Sequence, residues 1–339
     1  MLLRHVNALG QCGFLLLLLC GGDLLATESE TPSVEAPSVE APTTDATTAD
    51  TSAAGATPVA ETPEVVQPAI DELYTLRYQF RPGQVLRYVS NDETEFDVQQ
   101  SEAATSVNYS TKSWKRYVVE KVNDDGSVVL QLYLDHVLMR AEGDGKTLEY
   151  DSRLPGAPPA EFAHLPIGGE VATITVDARG AILAYEAKVE TAGDSAGTLE
   201  RDLQVLAILP EAPVAIGGTW REIIEAPLKV EGNLTRKVKL QRMYTLTSVE
   251  DGVASIDLRT IRLTRIDDPS HEAQLIQKTP GGMLRIDLDR GLVLTKRTNL
   301  NNQVVGFNGA GSSLKVKRQV VEELTTTNEP LVGKSSSDR

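Results

Sequence analysis

Nucleophilic, acid–base or metal chemistry in this chain would rest on few residues. Downstream of residue 26 it holds three histidines, His136, His164 and His271, and no cysteine. No HExxH pattern and no paired Cys/His spacing surrounds them, so each reads as a structural or surface histidine rather than a metal ligand. A GxSxG nucleophile elbow is absent. The acidic pairs Asp124-Asp125 and Asp267-Asp268 stand in turn-like stretches, where short carboxylates stabilise the backbone. Gly306-Phe-Asn-Gly309-Ala-Gly311-Ser-Ser has the glycine content of a phosphate loop. It lacks the Gly-Lys-Ser/Thr ending and joins two strand-like runs, which predicts a flexible hairpin. The sequence therefore assigns no catalytic residue, no metal ligand and no cofactor, and the expectation is a non-enzyme.

Charge narrows the partners. The 339 residues carry 33 Lys plus Arg against 48 Asp plus Glu, a formal −15. Residues 1–70 hold one base, Arg4, and nine acids, so more than half of the net charge sits in that stretch and only −7 belongs to the rest. Nucleic-acid binding runs on Lys and Arg that displace counterions from phosphates, and this balance argues against it. The basic run Arg236, Lys237, Lys239 and Arg242 lies on a strand without interleaved aromatic residues. It reads as a solvated sheet face that facing acids pair with, not as a polyanion site. The sequons at Asn108 and Asn233 matter only in a glycosylating secretory pathway. Trp114 and Trp220 are the largest anchors, and Trp220, just after Gly217-Gly218, is expected in the core.

The N-terminus predicts export. Arg4 and His5 precede the apolar run Phe14–Cys20 and the small pair Gly21-Gly22, the layout of a signal peptide over 1–26, cut after Gly22 or after Ala26. Both cysteines, Cys12 and Cys20, lie inside it. Membrane attachment follows only if Cys20 is lipidated, which Leu19 before it disfavours, or if the segment stays uncleaved. With the signal removed, disulfides and thiol nucleophiles are excluded and the fold must stand on its core. Residues 27–70, with Pro-Ser-Val-Glu-Ala repeated at Pro32 and Pro37 and no aromatic residue, predict a disordered acidic tether, and 328–339 a disordered polar tail.

Between them, 71–327 reads as mainly β. Tyr74, Leu76, Tyr78 and Phe80 alternate with polar residues, and similar runs follow at 85–98, 106–122 and 127–141, with Asn123–Gly126 as a hairpin turn. The layout then recurs. The hairpin from Tyr117 through Asp125-Gly126 resembles that from Tyr244 through Asp251-Gly252. Gly83-Gln84-Val85 resembles Gly217-Gly218-Thr219, and Thr175 to Leu183 resembles Arg285 to Leu294. In both copies the apolar face also changes parity, from Leu134 to Val137 and from Leu258 to Ile261, which predicts matching bulges. Two related antiparallel modules, about 74–188 and 217–325, are expected to form one curved sheet or barrel. Between them an amphipathic helix is predicted over 198–209, capped by Thr198, striped by Leu199, Leu203 and Leu206 and ended by Pro210. The Pro/Gly-rich stretch 143–169 is expected to be loop, with a helical turn near Phe162.

The segment Leu209-Pro210-Glu-Ala-Pro213-Val214-Ala-Ile-Gly217-Gly218-Thr-Trp220 resembles the Pro-x-x-Pro-Val-x-x-Gly-x-x-Trp pattern of an uncharacterised family of exported bacterial proteins of planctomycete type. Tyr78-Gln-Phe80-Arg-Pro-Gly83-Gln-Val-Leu-Arg-Tyr88 is similar to that family's start, and the likeness spans about 74–325. It implies structural motifs and export, and carries no functional residue. Two functional expectations follow: a periplasmic or envelope protein whose β domain binds an envelope protein or glycan, and a carrier of an apolar or lipid ligand held in a curved sheet.

Overall fold

The computed structural model describes residues 72–156, 158, 167–188, 206–230 and 234–325. The expected signal, tether and tail, His164, Phe162, Asn233 and the first part of the 198–209 segment lie outside the described residues. The strands are β1 (Val85–Gln100), β2 (Ala103–Val122), β3 (Val128–Gly143), β4 (Lys146–Asp151), β5 (Glu170–Val176) and β6 (Ile182–Ala187). They continue with β7 (Thr219–Val230), β8 (Leu234–Glu250) and β9 (Val253–Arg262), a helix α1 (Pro269–Gln274), then β10 (Gly281–Asp287), β11 (Leu292–Val305) and β12 (Ser312–Leu324). All pair antiparallel in one 12-stranded sheet ordered β6-β5-β3-β2-β1-β12-β11-β10-β9-β8-β7, with β4 added to β3. The sheet is open, with β6 and β7 as its edges.

The pairing makes the internal repeat physical. β1, β2, β3, β5 and β6 stand in the same order as β7, β8, β9, β10 and β11, and β12 inserts between β11 and β1 to join the two runs. Bulges fall at equivalent places. Glu120 is the extra residue between β2 and β3, and Thr247 is its counterpart between β8 and β9. Leu183 is extra in β6 and Leu294 in β11. The parity change from Leu134 to Val137 is produced by a further bulge at Asp135. Its expected partner in β9 does not form. β8 and β9 stay in continuous register from Tyr244↔Leu258 to Leu240↔Arg262, and Thr260 occupies the inward position. Leu263 is 49% exposed beyond the strand end, so no apolar face there needs re-aiming.

Both halves close on a shared core. Leu130, Leu132 and Ile174 of the first copy and Leu246, Ile256 and Ile286 of the second belong to one buried cluster, together with Leu76, Tyr78 and Leu209. Strands far apart in the sheet order therefore face each other, and the sheet must curl to bring them there. The stretch 74–80 is not a sheet strand as its alternation suggests. It is an extended plug, joined to Val214 by a bridge at Tyr74. Its backbone donates from Tyr78 N to Ala178 O (2.9 Å) and from Gln79 N to Gly291 O (3.2 Å), one turn from each module. Those turns are the repeated Asp/Arg/Gly elements. Asp177 Oδ1 accepts from Arg179 N and Ala181 N, and Asp287 Oδ1 accepts from Arg290 N. Gly180 and Gly291 have φ of +84° and +61° and press against the plug. A Cβ on Gly180 would meet the Tyr78 ring at 2.5 Å, and one on Gly291 would meet Gln79 N at 2.5 Å.

The proline motif serves the same junction. Arg77 Nη1 donates to Pro210 O (2.6 Å), Tyr78 Oη to Ala207 O (2.9 Å) and Trp220 Nε1 to Ile208 O (2.8 Å). Trp220, expected in the core, is half-buried and packs against the shared core, stacked on Tyr244 at 5.6 Å. Residues 206–209, the described end of the expected inter-module helix, are not helical; their carbonyls are spent on these side chains rather than on a helical ladder. The described helix is α1, after β9. Asp268 caps it and Pro269 opens it, and Leu275 and Ile276 beyond it pack on β7–β8 and on the β11–β12 end. The expected loop from 143 is also corrected. Asp144 and Gly145 take φ of 50° and 70°, a tight hairpin turn, and β4 follows it back along β3.

Each buried plug residue contributes ~1.5–3 kcal/mol through apolar burial. Gly291→Ala is expected to lower stability by roughly 3–5 kcal/mol in urea unfolding, because positive φ and a backbone collision act together. Gly83→Ala, at φ +75° with nothing within 4 Å, should cost only ~1–2 kcal/mol. Equal losses at the two positions would show that the grip on the plug contributes nothing beyond backbone strain.

Candidate functional site

The long strands β1, β2, β11 and β12 carry two different faces. Inward, β1 reads Tyr88, Ser90, Asp92, Thr94, Phe96 and Val98, apolar at both ends and polar in the middle. β12 answers with Leu314, Val316, Arg318, Val320, Glu322 and Leu324. The ends join separate cores: Tyr88 the shared one, Phe96, Leu314 and Val316 a second one capped by Ala273 and Ile276. Between them runs a belt of charge, fully buried at Lys115 and Glu322 and half-buried at Arg318 and Asp92. Lys115 and Glu322, 3% and 2% exposed, form an ion pair, and Lys296 Nζ approaches the other Glu322 oxygen at 3.7 Å. Arg318 pairs with Asp92 at 2.7 Å. Burial pushes the Glu322 carboxyl up, but Lys115 and Lys296 outweigh it, and its pKa ends below the usual glutamate value. Burial is also the largest influence on the Tyr78 and Tyr88 phenols and drives both up, outweighing the Ala207 backbone hydrogen bond at Tyr78 and the Arg290 charge near Tyr88.

Outward, the same strands floor a groove of about 490 Å³. Cross-strand register lays its side chains in two rows. One row runs Glu142, Asn108, Glu95, Lys317, Asn301 and the next Arg140, Ser110, Glu93, Gln319, Asn299. Strand spacing sets neighbours in a row ~5 Å apart, and the rows lie ~7 Å apart along the strands. Lys317 Nζ donates to both Glu95 oxygens at 3.0 Å. Arg140 is held by Glu142 and by Glu149 Oε1 at 2.8 Å. The internal pairs leave a floor rich in amides, carboxylates and hydroxyls with little net charge. The Lys115–Glu322 and Arg318–Asp92 pairs lock β1, β2 and β12 from behind, which fixes the spacing of Glu95, Lys317 and Gln319 on the outer side.

Residues singled out from the sequence are dispersed. His136 sits at the Asp135 bulge with its ring edge-on to Trp114 at 6.3 Å, and His271 lies on α1 beside Asp268. Trp114 is on the outer face, with Lys112 and Arg153 cations 5.1 and 5.0 Å from its ring centroid. The Arg153 side-chain hydrogen bond holds Asp151 down to about 2. Among the described residues no cluster of His, Cys, Asp and Glu is arranged to hold a metal ion. Gly306–Ser312 forms a hairpin closed by Ser312 Oγ, which donates to Gly309 O and accepts from Asn308 N. The basic run on β8 pairs with facing acids, Lys237 with Glu225 at 2.8 Å and Arg242 with Glu222 at 3.6 Å. Asn108 lies in the groove, whereas the groove itself and the inner charge belt were missed by motif reading. The available signal was the polar middle of two strands with apolar ends.

Glu322→Gln should destabilise the fold by about 3–5 kcal/mol, since it strands Lys115 uncompensated in the interior. The double change Lys115→Met with Glu322→Leu should recover most of that loss in urea titrations. Because the folded Glu322 pKa is depressed, the pair's contribution is full above the unfolded glutamate pKa. It is lost as pH falls through the lower folded value, so the wild-type advantage over Glu322→Gln should shrink in acid. An advantage that grows as the pH falls would contradict the ion pair.

No family model matches the sequence, and no curated protein matches it. Among solved structures, lipovitellin, from work on its lipid–protein interactions, is similar at 13% identity and a TM-score of 0.42, over 73% of this chain and 25% of its own. The chain thus spans about a quarter of that protein's length. DynF from the dynemicin biosynthesis pathway of Micromonospora chersina matches at 8% identity and a TM-score of 0.19, covering 77% of this chain and 88% of its own. OccK7 (OpdD) of Pseudomonas aeruginosa matches at 11% identity and a TM-score of 0.22, covering 73% and 99%.

Proposed function

We propose that this protein is an exported, non-enzymatic envelope component whose open β-sheet binds a polar, uncharged ligand, a glycan, in the outer groove. The observation that carries this reading is the two-row floor of Asn108, Glu95, Asn301 and Ser110, Glu93, Gln319 across adjacent strands. Carboxylates and amides accept from, and amides donate to, the adjacent hydroxyls of a sugar, and an array at strand spacing engages successive groups. The groove's cations are spent on its own acids, Lys317 on Glu95 and Arg140 on Glu142, which disfavours a polyanion. The signal-like N-terminus and the acidic Pro-rich stretch that follows it support export.

The packing of the interior favours this reading over a lipid carrier. Leu76, Tyr78 and Leu209 fill the space between the two halves of the shared core, and the middle of the sheet's inner face is ionic. Oligosaccharides released from the native envelope should bind saturably in titration calorimetry. Asn301→Ala and Glu93→Ala should each weaken binding about tenfold, the worth of one or two hydrogen bonds. Absence of binding, with lipid co-eluting in native mass spectrometry, would reverse the choice in favour of the carrier.

A further inference from the structure

The sheet ends at β7, and that edge has a definite chemistry. Gln274 of α1 clips its far end: Lys229 N donates to Gln274 Oε1 (2.9 Å) and Gln274 Nε2 donates to Lys229 O (3.0 Å). The backbone of Lys229 therefore points away from β8, and by the two-residue period so do those of Pro227, Glu225, Ile223 and Arg221. Pro227 costs nothing there, because its missing N–H faces the edge rather than the ladder. Between Gln274 and the start of the strand, no strand among the described residues covers this edge. The molecule's own repeat makes the vacancy informative. β1, the counterpart of β7, has its second edge covered by β12 from Tyr88 to Gln100.

We infer that β7 pairs antiparallel with β7 of a second copy of this chain, about a two-fold axis at Ile223. In that register, Ile223, 49% exposed, faces its own symmetry mate. Arg221 then faces Glu225 of the other copy, and Glu225 faces the other Arg221, so the edge is complementary to itself in charge. Both are exposed, and Glu225 carries Lys237 beside it at 2.8 Å, leaving a shared carboxylate between two cations. All three positions have backbone N–H and C=O aimed at the partner, the condition for hydrogen-bonded pairs. The Gln274 clip and Pro227 stop the pairing from running on, so the contact closes as a dimer instead of extending into a fibre.

Sedimentation equilibrium on the full chain tests this. Wild type is expected to be a dimer, Arg221→Glu alone and Glu225→Arg alone each to raise the dissociation constant about tenfold or more, and the double swap to restore it. Thermal unfolding of the single variants should stay close to wild type, because both side chains are exposed. A monomeric wild type would overturn the inference. So would a dimer indifferent to Arg221→Glu, or single variants not rescued by the swap.

Discussion

Everything in this fold is arranged around one extended segment, Arg77 to Phe80, held from two sides by equivalent turns. Tyr78 N and Gln79 N donate to carbonyls of the first and second module respectively, while Gly180 and Gly291 leave no room for a side chain against it. An open sheet of this size has no closing ladder to hold its two halves together. The plug replaces that ladder with a shared core, so the halves of the repeat are linked by burial as well as by the β1–β12 pairing. The proline motif and Trp220 belong to the same junction, which accounts for their residue types without any role in ligand chemistry.

The groove depends on the other polar feature, the inner charge belt. A long strand with apolar ends and a polar middle can lie in the interior only if the middle is paired, and Lys115–Glu322 and Arg318–Asp92 meet that condition. Their alignment across β2, β1 and β12 fixes the strands whose outward residues form the two rows of the groove. Buried ion pairs enforce a specific register at little net gain in stability, and that register is what sets the spacing of a groove built across several strands.

Much of the architecture was legible in the sequence. Alternation located the long strands, Asp-Gly and Asp/Arg/Gly spacing located the turns, and the aligned hairpins revealed the duplication. The match is only partial: the parity change at Ile261 produces no bulge, while the bulges at Glu120 and Thr247 do carry matching parity changes of the apolar face, Val119 to Val122 and Leu246 to Val249, in the strands before the turns. Alternation also placed Tyr74–Phe80 in the sheet, because a plug that buries one face has the same period as a strand. The stripe of leucines up to Leu206 suggested a helix whose described end is not helical, its carbonyls taken by tertiary hydrogen bonds that local propensity cannot anticipate. The groove was illegible for a different reason: its rows are built across strands, from residues more than 200 positions apart such as Glu95 and Lys317.

The most direct test of the shared plug is native-state hydrogen exchange resolved to single amides. Tyr78 and Gln79 N–H groups are expected to exchange only with global unfolding, at the rate of core amides in both β3 and β9. Exchange of Tyr78 and Gln79 through local opening, or separate unfolding free energies for the two modules, would contradict the account.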